Sequence, residues 1–254
     1  MNDHIFLPAG QTEALRHAVN ALGRRGCDLA TQPVDVVTHL LLPVPSFEAD
    51  GSLKGGGDLR QLLARLSPDV VIFGGNLDRP ELKDYRKADF LQDDIYLSEN
   101  AAITAHCALK LAQQKLPVTL QDCSALVIGW GRIGKCLAAL LRQVGANVSV
   151  AARKPADRAM LQALGYGTED TAALNYQLMR YRVIFNTAPT LLLTEAQLQH
   201  CRPDCLKIDL ASARGLAGDD VIWARGLPNK DAPETSGELI AQTAIRLASR
   251  KEYA

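Results

Sequence analysis

Along the chain, apolar runs rich in β-branched residues alternate with amphipathic stretches, and no repeat or low-complexity segment breaks the rhythm. That alternation predicts an α/β fold. In a first unit, strands are expected at His4 to Leu7, around Val37 to Leu42 and at Val70 to Phe73, and helices from Thr12 to Leu22 and Leu59 to Leu66. Gly23 and Gly26 read as the stop of the first helix, and Gly74-Gly75 as the end of the third strand. The longest irregular stretch, Pro43-Val-Pro45 to Gly55-Gly56-Gly57, follows a strand's carboxyl end, where open α/β sheets place ligand contacts.

After a charged passage from Asp78 to Asp94, Asn100 to Lys115 reads as a helix bridging two domains. A second unit follows: strand Ala125 to Gly129, helix Ile133 to Val144, strand Val148 to Ala151, helix Pro155 to Leu164, strand Val183 to Asn186, helix Thr194 to His200, and strands Leu206 to Leu210 and Val221 to Ala224. A last helix, Glu234 to Arg250, repeats Leu239, Ile240, Ala244 and Leu247 at helical spacing and so has a face to bury, with the first unit as a candidate partner. The expected division is residues 1–97, completed by the terminal helix 234–254, and a dinucleotide-binding domain over 98–233.

The 254 residues are 47% hydrophobic, enough for a substantial core, and 28 basic residues balance 28 acidic ones. A net charge of zero offers no long-range attraction to nucleic acid or anionic membrane. The start of the chain carries Asp3, Pro8 and no basic leader, and nowhere do about 18 apolar residues run together, so a cytoplasmic chain is expected. The six cysteines form no Cys-x-x-Cys pair and read as reduced core residues; Cys201 and Cys205 beside His200 lack the second ligand pair a metal site needs.

The strongest chemical signal is an apolar strand running into Gly129-Trp130-Gly131-Arg132-Ile133-Gly134, with an apolar-periodic helix running out of it. In a dinucleotide fold the first glycine permits the tight turn, the second lets the backbone approach a pyrophosphate, and the third lets helix pack on strand. The next strand ends at Ala152-Arg153-Lys154, and Arg153 falls 19 residues after Gly134, close to the offset at which NAD sites place a ribose-binding acid. A basic pair there, with Arg158 as a further cation, suits a 2′-phosphate and favours NADP over NAD; the alternative is a solvated basic turn. Asn186-Thr187-Ala188-Pro189 and Asp209-Leu210-Ala211 each follow a strand and are expected to line the nicotinamide half, unless the short polar side chains only cap turns.

These motifs, followed by Gly226-Leu-Pro-Asn-Lys-Asp-Ala-Pro-Glu-Thr-Ser-Gly237, resemble the family of the A-type, NADP-binding subunit of dipicolinate synthase over most of the chain, most densely from Phe90 to Ile240. The resemblance implies two Rossmann-like parallel-sheet domains joined by a bridging helix, as in 2-hydroxyacid dehydrogenases. It also implies an NADP-type oxidoreductase subunit (NAD being the alternative cofactor) that works with a flavoprotein, the B-type subunit, in a homo- or hetero-oligomer. The product would be pyridine-2,6-dicarboxylate, made from a cyclic dicarboxylate of the lysine pathway. A small dianion held between the domains would find cationic partners in Arg214 and in Lys230 of the Pro-Asn-Lys loop.

One departure concerns the bridging helix. Where the family tends to have Asn-x-x-Pro-Thr-x-Glu-Gly, this chain has Asn100-Ala-Ala-Ile-Thr104-Ala-His106-Cys107. Asn100 and Thr104 are expected to orient substrate. His106, taken to lie in the helix's first turns where the dipole favours neutral imidazole, is the acid–base candidate; the alternative is a helix histidine with no chemical role. Two further readings stay open: a 2-hydroxyacid dehydrogenase-like enzyme, although no histidine follows His200, and a nucleotide-binding regulatory subunit without turnover.

Overall fold

The computed structural model describes residues 4–34 and 36–253, so Asp3 lies outside the described residues. The chain divides into two compact units, Met1–Asn100 with Pro228–Ala254, and Ala101–Leu227, and each holds its own wholly parallel sheet. The fold class is the one the alternating pattern predicts.

In the first unit β1 (Ile5–Pro8), β2 (Asp28–Leu29), β3 (His39–Leu41), β4 (Val71–Gly74) and β5 (Lys87–Asp89) lie in the order β2-β1-β3-β4-β5. Helix α1 (Glu13–Arg24) starts where Thr12 Oγ1 accepts the Leu15 amide, and it buries Ala14, Leu15, Ala18, Ala21 and Leu22. Gly23 lies inside this helix, and Gly26, at φ 74°, makes the turn beyond it. Helix α2 (Leu59–Leu63) is about one turn shorter than its pattern suggests. The terminal helix α8 (Pro233–Ala248) packs on α1 so closely at Gly237 that a Cβ there would lie 2.5 Å from His17 Cβ and 2.6 Å from the Ala14 carbonyl oxygen. Ion pairs from Arg24 and Arg25 to Glu238, and from Arg246 to Asp93 at 2.6 Å, tie α8 down further. Burial pushes the Asp93 carboxyl up, but Arg246, the Tyr96 amide and Arg250 together outweigh it and hold the group below the usual carboxylate range.

Helix α3 (Asp94–Lys115) starts ahead of the expected Asn100, because Asp93 Oδ1 accepts the Tyr96 amide at 2.8 Å and caps it. The charged passage before it holds edge strand β5, too short to show alternation.

The second unit contains β6 (Ser124–Ile128), β7 (Asn147–Ala152), β8 (Gly167–Asp170), β9 (Val183–Asn186), β10 (Leu206–Asp209) and β11 (Val221–Trp223), ordered β11-β10-β9-β6-β7-β8. Counted from β6, that is 6-5-4-1-2-3, with the order reversing between β6 and β9. This is the dinucleotide-binding topology, whose ligands lie beyond the carboxyl ends of the strands at the reversal. Ala125 to Ile128 are all buried, as an unbroken apolar run covered on both faces requires. Helices α4 (Arg132–Gln143) and α5 (Pro155–Ala163) match their expected stretches to within a residue and α6 (Glu195–Leu198) ends two residues early, whereas edge strand β8 has no fully buried residue and lacks the apolar pattern. Gly-Leu-Pro-Asn-Lys, expected as a loop, forms the short helix α7 (Leu227–Asp231). Five of the six free cysteines are buried and Cys136 is half-buried. No helix among the described residues is long and apolar enough to cross a membrane.

Candidate functional site

The turn after β6 is built as the fingerprint requires. Gly129 stands at φ 107°, where a Cβ would overlap Thr187 Oγ1, and a Cβ on Gly134 would overlap the Gly129 carbonyl oxygen. Both positions therefore need glycine, one for backbone conformation and close approach, the other for seating α4 against the strand. Gly131 differs: a Cβ there would meet nothing within 4 Å. It is also the N-cap of α4 and, having no side chain, makes no cap hydrogen bond. The chain thus leaves room at the positive end of a helix, which fits a pyrophosphate. Arg132 is exposed, Ile133 half-buried, and Trp130 half-buried with its ring edge-on to Tyr166 at 6.0 Å.

At the end of β7 Ala152 is buried while Arg153 and Lys154 are exposed, with no ion pair among the described residues. Arg158 corrects its expectation. Its Nη1 donates to the carbonyls of Ala152 and Arg153 at 2.8 and 2.9 Å, and its Nη2 pairs with Asp170 at 3.0 Å, so it braces the turn and has little left for a phosphate.

The ends of β9 and β10 also correct the expectation for two side chains. Asn186 and Asp209 are both fully buried. Asn186 Nδ2 donates to Asp209 Oδ1 at 2.8 Å and to the Ala188 carbonyl at 3.0 Å, and Asn186 Oδ1 accepts the Ala188 amide. Asp209 accepts the Ala211 amide as well, and its Oδ2 takes the amides of Gly215 and Leu216 at 2.7 and 3.1 Å. Four donors thus satisfy a carboxylate that has no cation beside it among the described residues. These hydrogen bonds engage both side chains within the protein and shape the loop from Leu210 and Ala211 to Gly215. Thr187 and Ala188 are half-buried and Pro189 exposed, with Thr187 Oγ1 donating to the Ile128 carbonyl at 3.0 Å, so the β9 end is hooked to the glycine turn.

Arg214 lies exposed on that loop, its guanidinium 4.9 Å from the ring centre of Trp223. Lys230 is exposed on α7 of the first unit, and its neighbour Asn229 donates to the Val44 carbonyl at 2.9 Å, fixing the irregular stretch after β3. Within α3, half-buried Asn100 and buried Thr104 are four residues apart and share a face. His106 is exposed and sits in the middle of a 22-residue helix, two positions from Thr104 and so pointing elsewhere. The dipole argument for a neutral ring therefore lapses, since that effect is confined to the first turn.

Strand order and glycine turn together define a Rossmann-type, dinucleotide-binding fold. No family model matches. The chain is similar to the A-type subunit of dipicolinate synthase from Bacillus subtilis (strain 168), with 27% identity over 241 residues, 87% of this chain and 81% of that one. The crystal structure of the same subunit from Bacillus halodurans has the same fold: TM-score 0.84 and 20% identity, covering 98% of each chain. A transhydrogenase from Sinorhizobium meliloti follows with TM-score 0.73 and 15% identity, over 96% of this chain and 93% of its own. The resemblance read from the motifs is borne out in both sequence and fold.

Proposed function

We propose that the chain is an NADP-preferring oxidoreductase subunit that acts with a flavoprotein partner on a cyclic dicarboxylate of the lysine pathway, giving pyridine-2,6-dicarboxylate. The observation that carries this reading is the open turn at Gly131 on a dinucleotide-type sheet, in a chain similar to a dipicolinate synthase subunit over most of its length. A bound oxidised nicotinamide would supply the hydride acceptor that aromatising the ring requires. The first amides of α4 would hold its pyrophosphate, Arg153 and Lys154 would meet the 2′-phosphate, and the backbone of Thr187 to Pro189 and of Leu210 and Ala211 would line the reactive half. Arg214 would pair with a carboxylate, and Lys230, Asn100 and Thr104 are further candidates for substrate contact. His106, exposed in mid-helix, is left out of the proton transfer.

A steady-state assay of the purified chain, alone and with the flavoprotein, using oxidised NADP and oxidised NAD as hydride acceptors, tests the reading. Reduction of NADP that speeds up on adding the partner supports it. Turnover of 2-hydroxy acids by the chain alone would point to the dehydrogenase alternative, and nucleotide binding with no turnover in any combination to a regulatory subunit.

A further inference from the structure

Arg214 is not alone over Trp223. The guanidinium carbon of Arg225 lies 5.0 Å from the same ring centre, against 4.9 Å for Arg214. The indole N–H donates to the Ala211 carbonyl at 3.1 Å, which anchors the ring to the loop that Asp209 shapes. Both arginines are exposed, and neither has a carboxylate partner among the described residues. Three other arginines of this unit have carboxylate partners, Arg158 in Asp170, Arg180 in Glu169 and Arg182 in Asp204, whereas Arg153, the proposed partner of the 2′-phosphate, has no ion pair among the described residues. Both guanidiniums lie within 5.0 Å of one ring centre, and a dianion bound at that ring would be attracted to both charges. The shared ring also restricts both side chains before any ligand arrives, so less rotamer freedom is lost on binding.

Their place in the sheet indicates which anion. The arginines follow the carboxyl ends of β10 and β11, while Arg153 and Lys154 follow β7, on the other side of the β6 turn. A dinucleotide whose pyrophosphate sits at that turn and whose adenosine ribose meets Arg153 has its reactive end over β9 to β11. A substrate acid on this edge finds Arg214 first, and a second acid on the same small ring finds Arg225.

We propose that Trp223 and Arg225 complete, with Arg214, a subsite selective for a small planar ring bearing two carboxylates. Arg225 is the residue that distinguishes dicarboxylate from monocarboxylate, and Trp223 positions both guanidiniums. The inference rests on the oxidoreductase reading above for the side of the sheet on which substrate lies.

Trp130 and Trp223 are the two tryptophans of the chain, so Trp130→Phe leaves Trp223 as its sole indole reporter. That chain, with and without Arg225→Gln, is titrated with pyridine-2,6-dicarboxylate and pyridine-2-carboxylate, following indole emission and calorimetry, with melting temperature as the check on folding. The expected result is a change in Trp223 emission, a preference for the dicarboxylate of at least about tenfold, and loss of that preference in Arg225→Gln with monocarboxylate affinity kept. A preference that survives Arg225→Gln, or calorimetric binding with silent Trp223 emission, overturns the subsite while the oxidoreductase reading stands. Binding of neither acid overturns the subsite together with the dicarboxylate part of that reading.

Discussion

The two parallel-sheet units solve the same local problem in opposite ways. Each begins with an apolar strand that turns into a helix beside the point where its strand order reverses, β1 beside β3 in one and β6 beside β9 in the other. After β6, Gly131 faces open space and, as the N-cap of α4, offers no side-chain cap. After β1, Thr12 caps α1 through its hydroxyl, and a Cβ on Gly10 would lie 2.6 Å from the Lys54 carbonyl oxygen and 2.9 Å from Pro43 Cγ. The stretch from Pro43 to Gly57 thus folds back over the β1 turn, and Ser46 locks it there by donating to the Pro43 carbonyl at 2.7 Å and accepting the Gly75 amide at 3.0 Å. Topology alone therefore does not fix the shape of this turn. What separates the units is whether the chain fills it, as it does at Gly10 and does not at Gly131.

The largest expected effect comes from closing the open turn at its tightest point. Gly134→Val forces branched carbons onto the Gly129 carbonyl, so NADPH affinity is expected to fall at least about 100-fold and stability by about 1–3 kcal/mol. Fluorescence titration and urea unfolding read the two effects; wild-type affinity in this variant would show that the turn is not where cofactor binds.

A pH titration separates the units without any substitution. His39 is buried among His4, Phe6 and Phe73, its Nε2–H donating to the Tyr253 carbonyl at 3.0 Å, and burial lowers its pKa from 6.5 to about 4. A base whose folded pKa is depressed takes up its proton preferentially in the unfolded chain, so its contribution is complete above about pH 6.5 and declines as pH falls toward 4. The loss reaches about 3 kcal/mol. Hydrogen exchange should show β1, β3 and β4 losing protection between about pH 6.5 and 4.5 before β6 and β9 do. Equal loss in both sheets contradicts the assignment to His39.

The smallest effect is expected at the closed turn. Thr12→Ala removes a helix cap and costs about 1 kcal/mol in urea unfolding, with NADPH affinity unchanged. A drop in affinity would mean that the first unit's turn takes part in cofactor binding.

The contrast also shows what can be read from the chain. The turn after β6 is legible because everything it needs is contiguous: a buried run, three spaced glycines and an amphipathic helix. The strands β2, β5 and β8 are not, since two to four residues at a sheet edge carry no periodic signal. The pattern puts His106 near a helix start because Asp93, the residue that caps α3, looks like one more charge in a charged passage. Asn186 and Asp209 look ligand-facing, yet Asp209's donors at Gly215 and Leu216 come from beyond a loop whose path no local pattern reveals. Trp223 and Arg225 give no sequence signal at all, because their pairing with Arg214 exists only once β10 and β11 lie side by side.

The central claim, that the open turn at Gly131 holds the dinucleotide, is tested most directly by Gly131→Ala. At this position φ is −81° and an added methyl meets no atom of the chain within 4 Å, so the variant should melt with the wild type while occupying space the pyrophosphate needs. Calorimetry is expected to show NADPH affinity reduced at least about tenfold at an unchanged melting temperature. Undiminished NADPH binding by this correctly folded variant would contradict the account.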